Sequence, residues 1–259
     1  MPHPHWRLIV TPPASGAENM ALDEALMERA RASGEWVLRV YSWCVPTISL
    51  GRNQAARGLY DLGRIGELAL DVVRRPTGGR AILHDHEVTY SVTAPIDGAG
   101  DLGESYRRVN ALLLAALQLI GVQATAAAPV ARASFPGIRP CFDNAAAGEL
   151  TVAGRKLAGS AQWRADGALL QHGSILVQDD QTLLASLAID RSVSIPAPAT
   201  LSQTLGRVPS IDELAEALSA AVRELEDPTA HPLALDESLR ARASVLVVRY
   251  VDDSWTWRR

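Results

Sequence analysis

The residues with most to offer chemically are a cysteine, a lysine and a turn built from arginine and glycine. Cys141 sits in the stretch Pro136-Gly137-Ile138-Arg139-Pro140-Cys141-Phe142-Asp143-Asn144, which its proline and glycine content marks as a loop. A lone cysteine is most often a small buried hydrophobe. Loops carry reactive groups more often than core elements do, and Arg139 lies close by in sequence. The thiolate is the reactive form of cysteine, and a nearby cation stabilises it. Lys156, a short hairpin further on and flanked by Gly154 and Gly159, can supply such a cation.

The turn is Arg74-Arg75-Pro76-Thr77-Gly78-Gly79-Arg80. Its glycines open backbone angles closed to other residues and let a ligand lie against bare N–H groups. Its arginines can fork onto an anion or a carbonyl. A plain hairpin turn fits the same residues equally well. The string is not a P-loop, since no Lys-Ser or Lys-Thr follows at the required spacing. It is not a dinucleotide fingerprint, since no third glycine opens a helix. Further on, Gly159, Ser160 and Ala161 leave room for a ligand backbone to approach. In His84-Asp85-His86, adjacent strand positions point to opposite faces, so only the two histidines can share one. No third ligand lies nearby in sequence, and no metal site is expected. His84 and Asp85 are expected to close a strand and shape a pocket wall. Cys44 reads as a packed strand residue. Trp36, Tyr41 and Trp43 read as core or pocket wall rather than a nucleic-acid stacking platform.

These residues need elements to hold them. Residues 71–92 predict strand, Gly-rich turn, strand, polar corner and strand, with Val88, Tyr90 and Val92 alternating. Strands are predicted at 6–10, 36–41 and 46–50. A helix over 17–32 carries an apolar stripe, with Asn19 or a neighbour as its cap and Asp23 and Glu24 solvated or bonded to nearby backbone. A short helix is predicted in 58–68. A long one over 101–120 buries Leu112, Leu113, Ala116, Leu119 and Ile120. Three antiparallel strands are predicted at 150–152, 155–163 and 168–177, joined by turns at Ala153-Gly154 and Ala165-Asp166-Gly167. A helix follows over roughly 180–188, and 191–209 reads as a connecting loop. Ser210 and Glu213 form a capping box for a helix facing the core with Leu214, Leu218, Val222 and Leu225. Residues 235–250 begin helical, and Trp255 and Trp257 pack against the body.

The chain has 259 residues, 47% hydrophobic and 21% charged, with net charge −4, a pI near 5.9 and mean hydropathy +0.03. That is ordinary globular composition with ample length for a large core. No basic excess supports nucleic acid as the main partner. No signal peptide is apparent, and the longest apolar stretch, around 111–122, is too short to span a bilayer. Two cysteines make neither a disulfide framework nor a metal cluster, so a reducing cytoplasm is expected.

Arg-Arg-Pro-Thr-Gly-Gly-Arg-Ala-Ile-Leu-His-Asp, from residue 74, resembles the signature of the lipoate–protein ligase and octanoyltransferase superfamily, which includes biotin–protein ligases. Four further stretches match it in order: Asn-Met-Ala-Leu-Asp-Glu-Ala-Leu (19–26), Ile-Ser-Leu-Gly-Arg-Asn-Gln (48–54), Gly-Arg-Lys-Leu-Ala-Gly-Ser-Ala-Gln (154–162) and Leu-Gln-His-Gly-Ser-Ile-Leu (170–176). The resemblance spans roughly residues 6–225 and is nearest to the LipM-type octanoyltransferases, in which a loop cysteine precedes the Gly-x-Lys-x-x-Gly-Ser-Ala strand. It implies an α/β (α+β) fold of mixed, largely antiparallel sheets flanked by helices. The catalytic domain would occupy 1–225, with a short helical extension over 226–259 packed on it.

By the same resemblance, Cys141 forms an acyl-thioester and Lys156 lowers its pKa. Arg74, Arg75, Thr77, Gly78, Gly79, His84, Gly159, Ser160 and His172 surround the acyl group. The implied donor is octanoyl acyl carrier protein. The implied acceptor is a lysine of a lipoyl domain, such as the glycine-cleavage H protein. No cofactor is needed for that transfer. ATP and magnesium enter only if the chain is instead a lipoate–protein ligase, and such ligases tend to have a third glycine where this chain has Arg80. An octanoyl amidotransferase acting between lipoyl domains fits the same cysteine, and a non-catalytic acyl or carrier-protein binding module is the remaining reading. A cytoplasmic monomer that contacts neither membrane nor nucleic acid is expected.

Overall fold

The computed structural model describes residues 4–96, 100–128, 148–190 and 196–259. Cys141 and its loop lie outside the described residues.

Strands β1 (Trp6–Val10) and β2 (Trp36–Tyr41) flank helix α1 (Gly16–Ser33) in sequence. Strand β3 (Thr47–Leu50), helix α2 (Leu62–Glu67), β4 (Asp71–Arg74), β5 (Ile82–His84) and β6 (Glu87–Pro95) follow. Helix α3 (Leu102–Leu119), β7 (Thr125–Ala126), β8 (Leu150–Val152), β9 (Arg155–Ala165) and β10 (Ala168–Leu176) complete the sheets' main strands. Helices α4 (Gln181–Ser186), α5 (Leu201–Leu205) and α6 (Ile211–Leu225), then β11 (His231–Pro232), α7 (Glu237–Tyr250) and α8 (Asp253–Thr256), close the chain.

The large sheet has the order β11-β1-β2-β6-β10-β9-β8-β7. It is parallel across β11, β1 and β2 and antiparallel elsewhere. A three-stranded sheet, β4-β3-β5, stands beside it. The fold is therefore the mixed, helix-flanked α/β arrangement expected.

Side-chain alternation explains how the large sheet packs on both faces. Trp36, Leu38 and Val40 of β2 and Val88, Tyr90, Val92 and Ala94 of β6 share one core with Val109, Leu112 and Leu113 of α3 and Leu214 and Leu218 of α6. The intervening residues, Arg39 and Tyr41 of β2 and Thr89 and Ser91 of β6, bond or stack towards α1 and the small sheet. Helix α1 is thus covered twice, by the sheet and by α7, through Met20, Leu22, Leu26, Leu246 and Tyr250. A third cluster joins the small sheet to α2 and α4 through Ile48, Leu50, Ile65, Leu83 and Leu184.

Several expectations are corrected. Ser15, not Asn19, caps α1, in a reciprocal box with Glu18. Asn19 is buried and its amide donates to the carbonyls of Ala14 and Ser42. Asp23 and Glu24 are buried rather than solvated: β2, β6 and β10 supply partners for Asp23, and α7 supplies Arg249 and Tyr250 for Glu24. Leu119 and Leu225 each lie about half exposed at helix ends. The segment read as a loop after residue 191 contains α5, capped by the Thr200 hydroxyl and closed by left-handed Gly206. At α6 the Ser210 hydroxyl accepts from the Glu213 N–H, but the Glu213 carboxylate pairs with Arg207, so the box is half made. Cys44 lies exposed in a bend after β2, not packed in a strand. The final segment adds a strand as well as helices, since β11 extends the sheet beyond β1. Among the described residues no helix is long and apolar enough to cross a membrane.

Candidate active site

The glycine turn is shaped by backbone crowding. Gly79 adopts φ +95°, a left-handed conformation that favours glycine. The strand end at Gly51 passes so close that a Cβ there would sit 2.0 Å from the Gly79 carbonyl oxygen. Nothing lies within 4 Å of where a Cβ on Gly78 would point, so that side of the turn is open. Arg75 holds the turn from inside: its guanidinium donates to the carbonyls of Ser49 (2.8 Å), Gly78 (2.8 Å) and Arg80 (2.7 Å).

Arg74 does different work. It is fully buried and donates to the carbonyls of Thr256 (2.8 Å), Gly51 (2.6 Å) and Gln54 (2.8 Å). Burial, then the charges of Arg258, Arg259 and Arg75, press its pKa down to about 10. The sequence reading placed Arg74 against ligand; here it ties β4 to the C-terminal segment.

Thr77, the residue before the two glycines, meets the large sheet through His172. The Thr77 hydroxyl and His172 Nε2 are 2.6 Å apart, and His172 Nδ1 lies 3.1 Å from Asp23 Oδ2. A carboxylate can only accept, so Nδ1 carries the proton and, in the neutral ring, Nε2 accepts from Thr77. Asp23 also accepts from Arg39 Nη1 (2.8 Å), the Tyr41 hydroxyl (3.0 Å) and the Ser91 hydroxyl (2.8 Å). Burial opposes ionisation of Asp23, but Arg39, His172 and Ser91 together outweigh it and hold the carboxyl below its ordinary value. Burial and the Asp23 charge push Tyr41 well above its usual value, so its phenol stays a donor.

His84 is buried in the wall beside this group. Its Nε2 lies 2.7 Å from the Ser49 hydroxyl, and its Nδ1 faces Glu87 and Ser174, each at 3.2 Å. Trp43 stacks on the imidazole with ring centroids 4.0 Å apart. Burial depresses the His84 pKa, and contact with Glu87 only partly offsets this. His86 does not share its face: residues 85 and 86 form the corner between β5 and β6, and His86 is exposed. Asp85, His86 and Asp180 each bring one ligand-type atom within 4.8 Å of the others, the first two exposed and Asp180 largely buried.

A second polar group lies on the other face of the sheet. Gly173, next to His172 in β10, pairs with Ser160 of β9 and with Tyr90 of β6. The Ser160 and Tyr90 hydroxyls are 2.7 Å apart, and the Gln171 amide donates to Tyr90 at 3.1 Å. A Cβ on Gly173 would lie 2.4 Å from the Gly159 carbonyl oxygen and 2.8 Å from the Ser160 hydroxyl, so β9 and β10 pack this way only with glycine at 173. Lys156 is buried in β9, its Nζ 2.7 Å from Glu149 Oε2. Burial, then the Tyr90 and Glu149 charges, raise the Tyr106 pKa. Burial, weakly offset by bonds to Ser160 and Gln171, lifts Tyr90 to about 12.

The residues anticipated from sequence thus fall into two groups. Arg75, Thr77, Gly78, Gly79, His84 and His172 gather around the turn, and Ser160 shares the opposite face with Tyr90. Lys156, in the same strand as Ser160, sits against Glu149. Asp23, Glu149, Tyr90 and Tyr106 were not singled out. Each looks ordinary in sequence, and only closure of the sheet supplies its partner. The buried cation on β9 and the hydroxyl-lined, glycine-walled seam suit the binding of a polar carbonyl head beside apolar core.

Comparison with known proteins bears on the family and the fold. The lipoyl protein ligase A/B catalytic-domain family model matches residues 15–223. Octanoyltransferase LipM of Exiguobacterium sp. is 38% identical, the match covering 98% of this chain and 98% of that protein. Octanoyltransferase LipM of Symbiobacterium thermophilum is 39% identical, over 98% and 99% respectively. A bi-partite lipoate protein ligase from Thermoplasma acidophilum has the same fold, with TM-score 0.78 and 22% identity over 98% of this chain and 97% of that one.

Proposed function

The chain belongs to the lipoyl protein ligase A/B catalytic-domain family, and we propose that it acts there as an octanoyltransferase that passes the acyl group through Cys141. The reading is carried by its full-length similarity to proteins named octanoyltransferase. Cys141 and Lys156, both present in this sequence, support the route.

The donor is an octanoyl thioester on acyl carrier protein. The Cys141 thiolate attacks its carbonyl, a new C–S bond forms, and the carrier leaves as a thiol after taking up a proton. The ε-amine of a lipoyl-domain lysine then attacks the acyl-enzyme. The amide C–N bond forms, the amine loses its proton, and the Cys141 thiolate is released. Thioester to amide runs downhill, so no ATP is consumed. Lys156 supplies positive charge to the thiolate and to the oxyanion that develops on the carbonyl. Glu149, at 2.7 Å from its Nζ, anchors that cation in a buried place. The site of action is the cytoplasm.

The test is intact mass after incubation with octanoyl acyl carrier protein in the absence of ATP. The expected result is a gain of one octanoyl group, removed by hydroxylamine and absent from Cys141→Ala. A Cys141→Ala enzyme that still transfers octanoyl would rule out the thioester route. No adduct, together with ATP-dependent attachment of free lipoate to a lipoyl domain, would make the protein a ligase instead.

A further inference from the structure

Past Leu8 the edge of the large sheet is left uncovered. Strand β11 pairs with β1 only at Arg7 and Leu8, and the Leu233 N–H closes that pairing on the Leu8 carbonyl (2.8 Å). Val10, two residues on, is 51% exposed. Helix α6 packs on the face that carries Leu8, and helix α7 on the face that carries Ile9. A cavity of about 430 Å³ opens at this edge, with residues of both helices in its wall. That volume lies at the lower end of the range for small-molecule pockets, about 300–1,000 Å³.

The cavity reaches Leu38 and Val40 of β2, each only 2% exposed. They lie one strand further in than β1, a step of about 4.8 Å. Such depth suits a slender chain better than a flat protein surface. Leu233 and Leu235 continue an aliphatic wall, so a hydrocarbon chain leaves water on entering. The polar side chains of the wall are Ser219 and Arg223 of α6 and Arg240 of α7. Arg223 Nε donates to the Ala230 carbonyl (3.2 Å), which holds its guanidinium at this place. Among the described residues no carboxylate lines the cavity, in a chain with 29 acidic and 25 basic residues. Arginine is widespread on this protein's surface. What sets these two apart is that they are the charged groups of an aliphatic cavity, and a guanidinium forks readily onto a carboxylate.

We propose that this cavity binds a medium-chain aliphatic carboxylate, with the hydrocarbon inside and the head group on Arg223 and Arg240. None of its lining residues belongs to the candidate active site, so it is a second site. The ligand class follows from the cavity itself. Only the choice of octanoate as probe rests on the proposed function.

The experiment is isothermal titration of sodium octanoate into wild type, Arg223→Gln/Arg240→Gln and Ser219→Trp, whose indole fills the cavity mouth. Wild type has a saturable octanoate site that both variants weaken by about tenfold or more. Hexanoate binds it roughly five- to tenfold less tightly, and octan-1-ol and acetate fall off at least as far. Circular dichroism checks each variant; if Ser219→Trp fails to fold, the glutamine pair decides. Absence of saturable octanoate binding by wild type overturns the proposal. So does octanoate binding that the glutamine pair keeps in full, which would put the ligand elsewhere. So does octan-1-ol matching octanoate, or octyl phosphate exceeding it. Acyl-enzyme formation from S-octanoyl-N-acetylcysteamine is scored separately and stays unchanged in the glutamine pair. Its absence in wild type counts against octanoyl transfer and leaves the titration readable.

Discussion

At the scale of single residues, Asp23 is where the buried polar groups converge. Arg39, Tyr41, Ser91 and His172 all donate to it, and through His172 it reaches Thr77 at the glycine turn. Asp23→Ala leaves the Arg39 guanidinium buried and uncompensated, so urea denaturation should show a loss of about 3–5 kcal/mol. Thr77→Val removes the hydroxyl that meets His172 and leaves the fold intact. Steady-state kinetics should show reduced transfer, with activity restored in Thr77→Ser. His84 sets a pH dependence with a definite sign. Its folded pKa lies below the ordinary 6.5, so the unfolded chain takes up the proton first. Stability from this group is complete above about 6.5 and is lost as pH falls through that value towards the folded pKa. Unfolding free energies measured from pH 7.5 down to pH 5 should fall more steeply for wild type than for His84→Gln. Sequence reading reached Lys156, Thr77, His84 and His172 through their motifs. It missed Asp23 because a carboxylate on a helix is usually solvated, and its partners lie 16 and 149 residues away.

At the scale of elements, alternation in β6 sends Val88, Tyr90, Val92 and Ala94 to a hydrophobic core and Thr89 and Ser91 to the polar side facing Trp43 and α1. The strands were legible for that reason, as was the hairpin at Asp166-Gly167, whose φ values of +50° and +80° suit a tight two-residue turn. Caps were less legible. Ser15 and Glu18 are spaced as a box, yet Asn19 is an equally good cap by residue type, and only the backbone bends at Ser15. Helix α5 was hidden by the prolines around it, although Thr200 and Gly206 stand where its cap and stop belong. The contact between the Gly51 strand end and the turn is tested by Gly51→Ala. The added methyl meets the Gly79 carbonyl at 2.0 Å, so the turn must shift. Thermal unfolding should register about 1–3 kcal/mol of destabilisation, accompanied by loss of transfer.

At the scale of the whole molecule, the last segment is part of the site's framework rather than an appendage. Trp255 donates to the Arg74 carbonyl (2.8 Å), and Arg74 returns a bond to Thr256. Trp255→Ala should therefore lower both the Tm and octanoyl transfer, and the loss of transfer should persist at temperatures where circular dichroism shows the variant folded. Sequence anticipated that the terminal tryptophans pack, but not that β11 would pair with β1 or that Arg74 would bond to the Thr256 carbonyl. Both depend on contacts across most of the chain. Helix α1 makes the point most plainly: Glu24 finds Arg249 at 2.9 Å and Tyr250 at 2.6 Å, and Glu28 finds Arg242. The residues of the first such pair are 225 positions apart. At roughly 5–20 residues per second of synthesis, α1 waits on the order of ten to fifty seconds on the ribosome before its outer cover exists. During that interval Met20, Leu22 and Leu26 lack the cover that α7 supplies in the finished fold, so this early helix cannot complete its packing until the last segment of the chain has been made.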